Sequence, residues 1–206
     1  MQEIIIQFMN QYGHIGILFL VALENIFPPI PSEVILTFGG FMTTYTKMHI
    51  IGVILCATIG SIIGAILLYK IGTLLNKERL EKVVSGKIGK ILRVKKTDIE
   101  KADKWFDTKG TKAVFWGRFI PIVRSLISIP AGMSEMPFQK FVLFTGIGTL
   151  IWNTVLVILG AVMGDNWITI VSLIEQYASI VLVLLVCLLL VGIYIFYQGR
   201  LGKNKK

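Results

Sequence analysis

Glu24-Asn25-Ile26-Phe27-Pro28-Pro29-Ile30-Pro31-Ser32-Glu33 places three prolines and two acids inside an otherwise apolar stretch, residues 13–46. Proline lacks the N–H donor and clashes with the preceding turn, so this cluster breaks a helix into two halves. A second broken stretch follows at 113–136, interrupted by Arg118, Pro121, Arg124 and Pro130. Around both lie unbroken apolar segments at 49–72, 138–164 and 177–197, each matching the roughly 20 helical residues that cross a hydrocarbon core. Irregular backbone at membrane depth requires protein or a watery cavity around it. Each broken stretch therefore reads as a re-entrant hairpin, with Pro29, Pro31, Pro121 and Pro130 as its breakers.

Composition agrees. The 206 residues are 54% hydrophobic and only 16% charged, with mean hydropathy +0.74, which excludes an ordinary soluble domain. The formal charge of +9 is not a nucleic-acid stripe: twelve of 21 basic residues fall in 76–112 and four in the tail 198–206, both next to apolar spans. That is the positive-inside pattern of a multi-pass protein of the cytoplasmic membrane. It places 76–112 and the tail inside, and 165–176, with two acids and no base, outside. The start of the chain has no Lys or Arg ahead of its apolar residues, unlike a secretory signal.

Set at an offset of 92 residues, the broken stretches match at Phe27 and Phe119, Pro29 and Pro121, Ile30 and Ile122, Ile35 and Ile127, and Gly40 and Gly132. One span separates the units, so they are inverted. Paired interruptions in inverted halves point to a substrate site near the midplane. The expected organisation is a first repeat over 1–75, an inverted second repeat over 76–164, and an extra span with a basic tail over 165–206. Leu80, Val83, Val84, Ile88, Ile91 and Leu92 recur at helical spacing among lysines. This suits a helix on an anionic membrane surface, or a solvated helical hairpin. Gly52, Cys56, Gly60 and Gly64 recur every fourth residue, a stripe for close helix packing.

Four ionisable residues, Glu24, Glu33, Arg118 and Arg124, fall within the broken stretches. A charge at the bilayer centre costs roughly 2.5–3.5 kcal/mol on insertion scales, so such residues face the interior and mark a pathway. Two acids and two arginines are also able to neutralise one another as structural salt bridges, and both readings stand at this level. Arginine's planar fork suits a phosphate, and Ser32 opens a half-helix whose free N–H groups add positive potential. Burial disfavours an ionised carboxyl and a neighbouring arginine favours it, which makes Glu24 and Glu33 candidates for proton or charge coupling.

Other chemistry finds no motif. His14 and His49 are distant and read as interfacial packing. Cys56 and Cys187 lie in apolar runs and suggest no disulfide or thiolate site. Gly146-Ile147-Gly148 follows no strand, and no nucleophile elbow, Walker loop or H-E-x-x-H occurs. No cofactor, metal or catalytic residue is expected. Trp105, Trp116 and Trp167 read as interfacial anchors.

The stretch 24–33, followed by Phe115-Trp116-Gly117-Arg118-Phe119-Ile120-Pro121-Ile122-Val123-Arg124 and then Pro130-Ala131-Gly132-Met133 with Met136, resembles the DedA family, bacterial relatives of the eukaryotic VTT-domain lipid scramblases. The resemblance covers nearly the whole chain. It implies opposed re-entrant hairpins, with Glu24 and Glu33 as the family's acidic pair and Arg118 and Arg124 as its essential arginines. It also implies lipid transport, with undecaprenyl phosphate or phosphatidylethanolamine as cargo and proton coupling in some members. The expectation is an all-α membrane lipid flippase, not an enzyme, most consistent with return of undecaprenyl phosphate to the inner leaflet. A small-ion/proton antiporter and a membrane scaffold are the alternatives from other classes, and homo-oligomerisation is left open.

Overall fold

The computed structural model describes residues 2–26, 32–75, 96–121 and 123–201, and every regular element among them is helical. In order these are α1 (Gln2–Ile26), α2 (Ser32–Tyr45), α3 (Ile50–Leu74), α4 (Lys96–Gly117), α5 (Val123–Leu126), α6 (Ser128–Met133), α7 (Phe138–Met163), a 3₁₀ turn (Gly164–Asn166) and α8 (Trp167–Leu201). Three are long and apolar enough to cross a membrane: α3, α7 and the Val171–Ile195 part of α8. Pro28, Pro29 and Pro31, Ile122, the amphipathic segment through residue 95 and the tail beyond 201 lie outside the described residues.

The third span departs from expectation in one respect. Most of 165–176, read from the sequence as an external connection, forms nearly three turns at the start of α8. No proline or glycine lies between Trp167 and Gly192 to stop a helix, so it runs unbroken. The break falls instead at Gly164, whose φ of 50° is the left-handed region that only glycine enters freely. Gly13 kinks α1 the same way, with φ 54°.

Glycines fix the packing. The α1 helix runs parallel to α3, with His14 against Gly52, Leu18 and Ala22 against Gly60, and Asn25 against Gly64. A Cβ at Gly60 would strike the Leu18 carbonyl, so the small-residue stripe lets these backbones touch. Helix α2 lies on α7 through two such contacts, Gly40 on the Val157 carbonyl and Gly160 on the Thr37 carbonyl. Helix α6 lies on α3 through two more, Gly132 on the Tyr69 carbonyl and Gly72 on the Ile129 carbonyl.

The buried residues form layers. One apolar cluster gathers Ile17, Val21, Leu36, Val53, Ala57 and Leu156, and the other gathers Ala65, Tyr69, Phe106, Val114 and Phe141. Between them is polar material. Along α3 the order is Val53 and Ala57, then Thr58 and Ser61, then Ala65 and Tyr69; along α7 it is Phe141, then Thr145, Thr149 and Asn153, then Leu156 and Val157. The two helices are antiparallel, so both cross the same apolar, polar and apolar layers. Helix α8 joins the first cluster near its start, through Val171, and its apolar window buries 0%, against 44% for α3, so its hydropathy suits it to face lipid.

Candidate functional site

The polar layer contains all four ionisable residues singled out from the sequence, and all four are buried. Glu24 and Asn25 end α1, and Asn25 packs against Gly64, which is level with the middle of α3. Ser32 and Glu33 open α2 on the far side of the proline cluster. Helix α4 ends in a tightened turn, in which Arg118, Phe119 and Ile120 donate to carbonyls three residues back, and Pro121 stops it. That ending projects Arg118 into the layer. A single helical turn, α5, then presents Arg124. Pro130 sits in the first turn of α6, where its missing N–H has no helical partner to lose.

The two arginines are held differently. The Arg124 guanidinium donates through Nη1 to Ser32 Oγ at 3.0 Å, and its Nη2 lies 3.7 Å from Glu24 Oε2. Arg124 thus ties the α5 turn to the ends of both α1 and α2. Glu24 also accepts from Asn25 Nδ2 at 3.5 Å. Arg118 reaches no carboxylate among the described residues. Its Nη1 donates to the Arg124 carbonyl at 2.6 Å, and its Nη2 to Ser128 Oγ and Thr145 Oγ1, both at 3.0 Å. Its Nε has no partner. Of the salt bridges that the sequence left open as one reading, the described residues form one, Arg124 to Glu24, and Glu33 is buried beside Ser32 without an ion pair among them.

Three contributors had escaped sequence reading. Ser128 and Thr145 complete the Arg118 cradle, and Gly148 makes room for it, since a Cβ there would come within 3.1 Å of Arg118 Cβ and 3.2 Å of the Phe115 carbonyl. The available signal was the run of Thr145, Thr149 and Asn153 every fourth residue along an apolar span. Trp105 and Trp116, read as interfacial, are both exposed. Among the described residues no three His, Cys, Asp or Glu side chains converge as a metal site.

Chemically, the layer presents a guanidinium met by a carboxylate and a hydroxyl, beside one held only by neutral oxygens. Such a pair is suited to an anion bearing several oxygens.

Comparison with known proteins gives three kinds of result. The VTT domain matches residues 30–162. A protein named undecaprenyl phosphate transporter A from Staphylococcus aureus (strain NCTC 8325 / PS 47) is 36% identical over 100% of this chain and 99% of its own length. The protein of that name from Bacillus subtilis (strain 168) is 34% identical over 98% and 96%. A protein named alkaline phosphatase-like from Lactococcus lactis subsp. lactis (strain IL1403) is 58% identical over 100% and 96%. No solved structure matches.

Proposed function

The chain belongs to the VTT-domain family, the DedA proteins of bacteria, and from that premise we propose that it returns undecaprenyl phosphate from the outer to the inner leaflet of the cell membrane. It is a multi-pass membrane transport protein rather than an enzyme. The phosphatase-like name of the lactococcal relative does not alter this, because two relatives across the full chain are named as transporters.

The observation that carries the reading is Arg118, a buried guanidinium whose hydrogen-bond partners are neutral oxygens, adjacent to Arg124. A lipid phosphate exchanges those neutral acceptors for charged ones, which make stronger hydrogen bonds. Ser32, now paired to Arg124, contributes its hydroxyl. Glu24 balances Arg124 while the site is empty and takes up a proton when phosphate replaces it, and Glu33 shares that role. Both arginines are enclosed between the apolar clusters, so the headgroup enters only when one cluster parts.

The proposal includes two inverted repeats, 1–75 and 76–164, each built around a re-entrant hairpin at 13–46 or 113–136, followed by a further span and tail. Packing supports it. Thr37 and Gly40 of α2 lie on Gly160 and Val157 of α7. The residues 92 positions later, Ile129 and Gly132, lie on Gly72 and Tyr69 of α3, which stand 88 positions before their counterparts. Ser32 and Arg124, also 92 apart, touch one another, as equivalent residues do when a two-fold axis passes between them. Orientation follows the positive charge, with 76–112 and the tail in the cytoplasm. A cysteine placed at Lys95 is expected to react from the cytoplasmic side only, and labelling from outside only would reverse this.

Proteoliposomes carrying labelled undecaprenyl phosphate test the function. Transport is expected in wild type, faster with an imposed pH gradient, and Glu24→Gln or Glu33→Gln is expected to remove the pH response. Movement of phosphatidylethanolamine alone would replace the cargo, and indifference of wild-type flux to the gradient would remove the coupling.

A further inference from the structure

Polar side chains inside an apolar helix bundle are normally paired, because an unmet hydroxyl or amide costs its desolvation. Most helical hydroxyls here follow the rule by bonding to the preceding turn of their own helix: Thr37 to the Glu33 carbonyl, Thr58 to Ile54 and Thr154 to Leu150. Ser61 and Thr149 do not. Both are buried, at 0% and 2% exposure, and neither oxygen has a partner.

They also lie at one level. Asn153 Nδ2 donates to Thr58 Oγ1 at 3.3 Å, and one to two turns further along, Gly146 of α7 faces the tip of Ile62 on α3. Ser61 follows Thr58 by one turn, and Thr149 precedes Asn153 by one turn, so the antiparallel register sets the two hydroxyls between those contacts. Two unpartnered amide oxygens belong to buried side chains of the same polar layer. Asn153, with Oδ1 unpartnered, is one turn from Thr149 on α7, and Asn25, whose Oδ1 is also unpartnered, lies with its Cβ and Cγ against Gly64, one turn beyond Ser61. The Asn25 amide is held in orientation by donation of its Nδ2 to the Val21 carbonyl at 3.0 Å, so Oδ1 is the atom left over. At the other edge, Arg118 lies against Gly148, next to Thr149, with Nε unpartnered.

We propose that Ser61, Thr149 and Asn153, with Asn25 and Arg118 at its edge, form a binding site for ordered water between α3 and α7. The mixture of unmet groups identifies the ligand. Two amide acceptors and an N–H donor, with two hydroxyls that do either, match a molecule that both gives and accepts hydrogen bonds. A cation would meet the Arg118 N–H, and an anion would meet the amide oxygens. The apolar clusters above and below close the site on both sides. It hydrates the inner side of Arg118 and does not depend on which lipid is carried.

Thermal unfolding of the purified full chain in detergent tests this by sign. Removing a dry, unmet hydroxyl stabilises a protein, whereas removing one bonded to water leaves that water's other partners short. Thr149→Val and Ser61→Ala are each expected to lower Tm by about 2–4 °C. The double variant is expected to fall no further than the worse single one, because a shared water is lost once. A rise in Tm for either variant, additive losses, or a wild-type Tm that drops when choline replaces sodium would overturn the proposal. If a variant does not accumulate, NMR of the wild-type chain decides: water cross-peaks are expected at the amides of residues 61 and 149, and their absence would overturn it.

Discussion

Arg118 and Arg124 are six residues apart, equally buried and linked through the Arg124 carbonyl, yet their surroundings divide the work of the site. Around Arg124 a carboxylate and a hydroxyl from two other helices converge, so its charge is met and it ties three chain segments together. Around Arg118 there are only hydroxyls and a carbonyl, from the same hairpin and from α7. The difference teaches that what meets a buried charge decides whether it is also a structural tie. Removing one member of a buried ion pair strands the other, whereas neutral hydroxyls re-pair more easily.

The largest expected effect breaks the tie. Arg124→Ala leaves Glu24 unpaired and is expected to cost about 3–5 kcal/mol, seen as loss of protein from the membrane fraction. Adding Glu24→Gln to the same chain should restore accumulation. Arg118→Ala should cost less, about 1–3 kcal/mol, and leave a folded protein that no longer transports. If the two alanine variants lost equal amounts of protein, the contrast between the arginines would be wrong.

Lysine replacements sharpen the comparison, since they keep the charge and remove the planar fork. Arg118→Lys is expected to accumulate normally and to transport at least about tenfold more slowly, the effect of roughly one charge-assisted hydrogen bond. Arg124→Lys is also expected to accumulate and to lose transport, because its fork serves the same phosphate. Normal flux by Arg124→Lys would assign that residue to the tie alone.

A smaller effect tests the seat of Arg118. Gly148→Ala pushes against the Arg118 stem and the Phe115 carbonyl, and should cost about 1–3 kcal/mol in detergent unfolding. Gly146→Ala, two residues away, meets only the tip of Ile62 at 3.5 Å and should be near neutral. Equal effects would mean that Arg118 is not seated by α7.

By itself, the sequence determined the all-helical class, the three spans and the family. Hydropathy adds up along the chain, so α3 and α7 could be bounded within two residues without knowing what they touch. The prolines and the four charges were equally legible, because a charge in an apolar stretch is conspicuous wherever it points. Which charges pair was decided only in three dimensions. Arg124 meets Ser32 across 92 residues and Arg118 meets Thr145 across 27, and those meetings depend on how each helix is rotated about its axis. Rotation is set by glycine–carbonyl contacts such as Gly40 on Val157 and Gly132 on Tyr69, between helices from different halves of the chain. Ser61, Thr149 and Asn153 look in sequence like tolerated polar residues within a span. Only the antiparallel register of α3 and α7 brings them into one layer, because a side chain's partners are fixed by packing across helices, which local composition does not encode.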